Sequence, residues 1–150
     1  MKAAFFDMDG TLIDSKADLA ATVNHTRRDL GLAEWSVDDI LRHVGLGAKH
    51  LLAHAIPERA DEVDRLWEIF RSHYAEHALE SVALYPTVRP TLAELHDRGW
   101  LLGVNTAKPR FATMAILEHF GLTRYFGNAV VAGGGLDSYS GAGPTVRILD

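Results

Sequence analysis

The stretch Phe5-Phe6-Asp7-Met8-Asp9-Gly10-Thr11-Leu12-Ile13-Asp14-Ser15 decides the reading of this chain. It starts at the end of a short apolar run, Ala3 to Phe6, which reads as a buried strand because a helix needs more length. Two carboxylates, Asp7 and Asp9, follow directly. In an open parallel sheet, ligands bind beyond the carboxyl ends of the strands, so both acids stand where chemistry is done. Gly10 lets the chain turn away sharply. A solvated acidic turn is the plainer account of Asp-x-Asp-Gly taken alone.

Working outward, Ser15 with Asp18 three residues on is a capping-box-like helix start. Leu19, Val23 and Leu30 fall on one stripe, and Gly31 ends it. Ser36 caps a short helix through Ile40 and Leu41, and Gly45-Leu46-Gly47 is a turn. Lys49 to Ile56 reads as a further helix, stopped by Pro57. Glu58 to about Leu79 is the strongest helix, with Val63, Leu66, Trp67, Phe70 and Tyr74 spaced by threes and fours. After the break at Tyr85-Pro86, Thr87 to Arg98 is a helix with Gly99 at its C′ position. Trp100 to Val104 is a strand, and Lys108-Pro109 opens a helix carrying Met114, Leu117 and Phe120 up to Gly121. Ala129 to Ala132 is a third strand, and the Gly/Ser-rich text from Gly133 to Pro144 reads as loop. Strand–helix–strand–helix–strand predicts right-handed βαβ units and a parallel sheet. The all-helical block between the first strand and the rest has the pattern of an inserted cap.

Composition sets the outer limits. The chain has 150 residues, 47% hydrophobic and 23% charged, enough to bury a core without staples. It has no cysteine, which excludes disulfides, a thiol nucleophile and thiolate metal sites. A net charge of −5, from 15 basic and 20 acidic residues, gives no basic excess for nucleic acid. No apolar run reaches the roughly 18 residues of a membrane span. Asp7 and Asp9 interrupt the N-terminal run too early for a signal peptide. The expectation is a soluble, cytoplasmic protein that binds neither nucleic acid nor membrane.

The opening string resembles the first motif of the haloacid-dehalogenase-type phosphohydrolases, in their phosphoglycolate-phosphatase-like branch. Val104-Asn105-Thr106-Ala107-Lys108-Pro109 resembles that branch's T-N-K-P segment, with Ala107 in place of Asn. Tyr85-Pro86-Thr87-Val88 resembles its Y-P-G-V, with Thr87 for Gly. Ile116-Leu117-Glu118, Phe120-Gly121-Leu122 and Tyr125-Phe126 resemble the helix that follows. The implied fold is α/β: a Rossmann-like parallel core of three recognisable strands, residues 1–15 and 83–150, with an inserted helical cap, residues 16–82.

The resemblance implies an Mg²⁺-dependent phosphomonoester hydrolase acting on a small phosphorylated metabolite through an aspartyl-phosphate. Asp7 would be the nucleophile and Asp9 the acid–base group. The Asp7 side chain and the Asp9 main-chain carbonyl would be the metal ligands. Thr106 would bond a phosphate oxygen, although a helix N-cap accounts for it as well. Lys108, Gly10 and Thr11 complete the expected phosphate surroundings, and Lys108 has solvation as its plainer reading. The second Asp argues against a dehalogenase, whose halide leaves without a proton. In the cap, Gly45-Leu46-Gly47 resembles the substrate loop, and Arg42 or Lys49 would meet a substrate carboxylate. His50 and His54 share a helical face without an evident third metal ligand. Trp35, Trp67 and Trp100 read as packing.

The tail departs from the family. Gly135 stands where the family has Asp, and matching Pro144 to the Lys-Pro-x-Pro segment puts Gly141 at the lysine. Asp137 and Asp150 are the only acids left there, and no G-D-S-x-x-D is present. These departures raise a second expectation: a truncated, catalytically impaired remnant with at most a binding or interaction role. Its strand Ala3–Phe6 would be an uncovered apolar edge that favours self-association. A receiver-like phospho-acceptor domain shares the strand-end Asp, but the helical insert and the DxDGT string argue against it.

Overall fold

The computed structural model describes residues 1–133. The expected Gly/Ser loop, Gly135, Gly141, Asp137 and Asp150 lie outside them. In chain order the elements are β1 (Ala3–Phe6), β2 (Ile13–Asp14), α1 (Lys16–Asp29), α2 (Val37–Leu41), α3 (Ala48–Ala55) and α4 (Val63–His77). Then follow β3 (Ala83–Leu84), α5 (Val88–Asp97), β4 (Leu101–Thr106), α6 (Arg110–His119), α7 (Thr123–Phe126) and β5 (Val130–Ala132). Among the described residues no helix is long and apolar enough to cross a membrane.

β1, β4 and β5 form a parallel sheet in the order β1-β4-β5. Phe6 pairs with Val104, and Val104 with Val130, so the ends of the first two strands lie side by side. That register puts Asp7 next to the Asn105-Thr106 end of β4. The α/β parallel core with a helical insert is therefore as expected. β1 is not the buried strand that its apolar text suggests: exposed residues alternate with half-buried ones along it, and Phe5 is 46% exposed. The reason is position, because among the described residues β1 has β4 on one side only.

Two hydrophobic clusters organise the molecule. One joins Met8, Leu12 and Ile13 to Val104, Ile116, Leu117 and Val130 around the sheet. The other joins Leu19, Val23, Leu52, Leu66, Phe70 and Tyr74 in the helical block, with Ala112 of α6 included. Phe111 packs against the second cluster as well, so α6 carries the contact between core and cap.

Several local expectations are corrected. Every regular element within residues 15–82 is helical, as expected. What the sequence did not suggest is that the residues flanking this region pair as an antiparallel ribbon, Ile13 with Leu84 and Asp14 with Ala83, at the neck where the chain leaves and re-enters the core. Two-residue strands carry no readable period. The helix expected from Glu58 is a 3₁₀ turn over Pro57–Glu62, with Arg59 out of helical geometry at φ −136°, before α4 begins. The capping box at Ser15 does not form: Ser15 and Asp18 are drawn into tertiary bonds instead. Pro109 precedes α6 rather than occupying its first turn.

Candidate active site

The loop after β1 is built around one carbonyl. Met8 O accepts from the N–H groups of Thr11, Leu12 and Ile13 at 3.2, 3.0 and 3.1 Å. Gly10, at φ +80°, closes the turn by donating to Ile13 O at 2.9 Å. A positive φ of this kind favours glycine. Met8 is fully buried beneath the turn, so the flanking acids are carried on a fixed frame. Asp7 is exposed and accepts from the Met8 N–H at 2.7 Å through Oδ1. Among the described residues the Asp9 carbonyl accepts none of the loop's main-chain bonds.

Asp9 is held from both sides. Its Oδ1 accepts from Ser15 Oγ at 2.5 Å and from Lys108 Nζ at 2.9 Å. Lys108 follows the end of β4 and its side chain is 1% exposed. Its Nζ also donates to Tyr74 Oη at 2.6 Å and lies 5.0 Å from that ring's centroid. Burial alone would push the Lys108 ammonium down, but the Tyr74 and Asp9 oxygens outweigh it and hold the group above the ordinary lysine range. Burial pushes the Tyr74 hydroxyl up, against the pull of Lys108. Thr106 is buried, and its Oγ1 accepts the Lys108 N–H at 3.2 Å. It is therefore a turn cap after β4 and not the N-cap of α6, which is Pro109.

Asp7, Asp9, Thr106, Ala107, Lys108 and Pro109 form the floor of an open cleft of about 510 Å³, its mouth included. The cap supplies the facing wall through Leu19, Val44, Gly45, Gly47, Ala48, Leu51, Phe70 and Tyr74. The sequence-expected Asp7, Asp9, Thr106 and Lys108 are thus brought together. Gly10 and Thr11 do not line the cleft, and their N–H groups are used inside the turn. Arg42 and Lys49, expected at a substrate carboxylate, turn elsewhere: Arg42 pairs with Asp39 at 3.0 Å and Lys49 with Asp64 at 2.8 Å. His50 and His54 stack at 4.0 Å. Among the described residues no cluster of three or more His or acidic side chains could hold a metal.

Sequence reasoning missed two residues. Ser15 read as a helix cap, and Tyr74 read as one more ring on the apolar stripe of α4. The available signal was the hydroxyl: a polar tip on an otherwise apolar face needs a partner when buried.

A strand-end pair of aspartates under a helical cap gives the class: a capped α/β fold with its candidate site beyond the carboxyl ends of the parallel strands. Residues 4–135 match the haloacid dehalogenase-like hydrolase family, and the chain belongs to it. It is 39% identical over 128 residues to a phosphoglycolate phosphatase of Agrobacterium fabrum, covering 82% of this chain and 55% of that protein. With the Aquifex aeolicus phosphoglycolate phosphatase the identity is 34%, over 84% of this chain and 58% of the relative. The crystal structure of a predicted phosphoglycolate phosphatase from Haemophilus somnus 129PT superposes with a TM-score of 0.83 at 31% identity. That match covers 91% of this chain and 64% of that one. The chain spans somewhat more than half the length of these curated relatives.

Proposed function

We propose that this chain hydrolyses a small phosphomonoester through an aspartyl-phosphate on Asp7. The observation that carries the reading is the meeting of Asp7 and Asp9 with Thr106 and Lys108 on one cleft floor beneath the cap. An Asp7 carboxylate oxygen attacks phosphorus as the bond to the alcohol oxygen breaks, and Asp9 gives its proton to the departing oxygen. Water then attacks phosphorus, Asp9 takes a proton from it, and the Asp7–phosphorus bond breaks to release inorganic phosphate. The buried Thr106 hydroxyl and the Lys108 ammonium add a donor and a positive charge beside the phosphoryl oxygens. The names of the relatives make phosphoglycolate the first substrate to try.

The donor set suits Mg²⁺, which is commonly held by one or two protein oxygens and keeps several waters. The exposed Asp7 carboxylate and the Asp9 carbonyl left out of the turn's bonding would hold it. When bound it supplies positive charge to the phosphoryl oxygens. Hydrolysis of p-nitrophenyl phosphate and phosphoglycolate with Mg²⁺ tests the reading. Asp7→Asn is expected to lower kcat by on the order of 10³-fold or more. Activity that survives that substitution refutes the nucleophile.

A second reading, an interaction role, has one observation in its favour. Among the described residues β1 pairs only with β4 and leaves its other edge unpaired, with its Phe5 46% exposed. The proposed partner is a second copy pairing through β1. Light scattering would show a concentration-dependent dimer in the wild type that Phe5→Lys weakens; a monomer at all concentrations removes this reading.

A further inference from the structure

The two carboxylate oxygens of Asp9 are not equivalent. Oδ1 takes both the Ser15 and the Lys108 bonds, and among the described residues Oδ2 accepts none. Lys108 reaches Asp9 on a long flexible stem, and a compact ammonium at its end has no preferred direction of its own. Its direction comes from the cap. Tyr74 stands across from Asp9 and takes a second Nζ–H bond at 2.6 Å. The Tyr74 ring is fixed by Phe70 at 5.3 Å and by Phe111 of α6 at 6.5 Å. A phenylalanine ring would serve that aromatic packing equally well. The hydroxyl, buried at a cost unless bonded, has Lys108 as its one hydrogen-bond partner among the described residues.

We propose that Tyr74 is a positioning residue: acting through Lys108, it pins Asp9 by Oδ1 and leaves Oδ2 as the oxygen that carries the proton. The docking of the cap on the core and the setting of the acid–base group are then one event. The role of Asp9 here rests on the phosphatase reading; the manner in which it is held rests on the geometry alone.

The test is a two-residue cycle read at Asp9. The Asp9 carboxyl-carbon NMR signal, assigned with Asp9→Asn, is recorded at fixed pH in wild type, Tyr74→Phe, Lys108→Met and the double variant. Tyr74→Phe keeps the ring stack and is expected to fold. It should move the Asp9 signal in the wild-type background and leave it unmoved once Lys108 is Met. Where turnover is measurable, Tyr74→Phe should lower kcat about tenfold with KM unchanged, because orientation and not binding is lost. An Asp9 signal that stays in place in Tyr74→Phe overturns the proposal. So does one that moves equally with and without Lys108. If Lys108→Met does not fold, the Tyr74→Phe signal alone decides. Absence of hydrolysis by the wild type would overturn the phosphatase reading, while the NMR cycle would still decide the positioning role.

Discussion

Arg27→Met should cost the cap more stability than any substitution at its surface. Arg27 sits in α1, 2% exposed, and reaches three segments. Its Nε donates to Ala33 O at 2.6 Å and Nη1 to Ala55 O at 2.8 Å, at the end of α3. Nη1 and Nη2 donate to the two Glu58 oxygens at 3.2 and 2.9 Å, and the guanidinium lies 4.7 Å from the Trp35 ring centroid. Methionine has similar reach and no donor. A charge-assisted bond is worth roughly 1.5–3 kcal/mol, with the buried Ala55 carbonyl at the upper end and the exposed Ala33 carbonyl at the lower. Relief of the buried guanidinium's desolvation offsets part of the loss. Glu58 is 42% exposed, so its share is held to about 1 kcal/mol or less. The net expectation is a loss of roughly 2–4 kcal/mol, or about 5–15 °C in Tm for a chain of this size. Glu58→Gln should lose about 1 kcal/mol or less.

Urea and thermal unfolding followed by circular dichroism measure both variants. The pH dependence adds a separate check. The side-chain bond from Arg27 holds the Glu58 carboxyl below its ordinary value of 4.5. A depressed carboxyl contributes stability above that value and loses it as pH falls through the folded one. That acid-side loss should be smaller in Arg27→Met. The reasoning fails if Arg27→Met loses less than about 1 kcal/mol, or no more than Glu58→Gln.

Two further expectations concern single buried positions. Burial pushes the Asp18 carboxyl up, the bonds from Ser81 and the charge of Lys108 pull against it, and Oδ2 is buried without a partner among the described residues. A raised carboxyl stabilises the fold while protonated, fully below its ordinary 3.8 and less as pH rises through the folded value. Asp18→Asn should therefore gain on the wild type between acid and neutral pH in unfolding experiments; a difference constant with pH would refute this. At Gly103 an added Cβ would lie 2.5 Å from Phe5 Cε1 and 3.0 Å from Ala129 O. Gly103→Ala should cost roughly 1–3 kcal/mol in urea titrations, and less when Phe5 is also Ala. Wild-type stability of the single variant would contradict the packing.

What the sequence disclosed divides by range. β1, β4, α6 and the break at Gly31 are bounded by residues with strong local rules, and they fall within a residue or two of expectation. The strand-end placement of Asp7, Asp9 and Thr106 follows from those boundaries. The β2–β3 ribbon and α7 are too short to show a period, and the 3₁₀ turn before α4 is fixed by Arg27 gripping Glu58 from another helix. The links that finish the site span still greater distances. Lys108 meets Tyr74 across 34 positions and Asp9 across 99. No local pattern tells a lysine bound for solvent from one that crosses to a cap tyrosine.

The two aspartates are consequently held by different physics. The Asp7 bond runs to its own neighbour, the Met8 N–H, inside a turn fixed by the Met8 carbonyl and Gly10. That frame is local and needs nothing from the cap. Asp9 depends on Ser15, the last residue before α1, on Lys108 beyond β4 and, through Lys108, on Tyr74 in α4. Those three residues lie on the chain's way into the cap, on the core and inside the cap. A shift of the helical block relative to the sheet would therefore disturb Oδ1 of Asp9 and leave the Asp7 bond intact. Under the proposed two-step reaction this division suits the chemistry: Asp7 is held ready by local bonds alone, while the proton-transferring Asp9 is set only by bonds that depend on the cap's seat on the core.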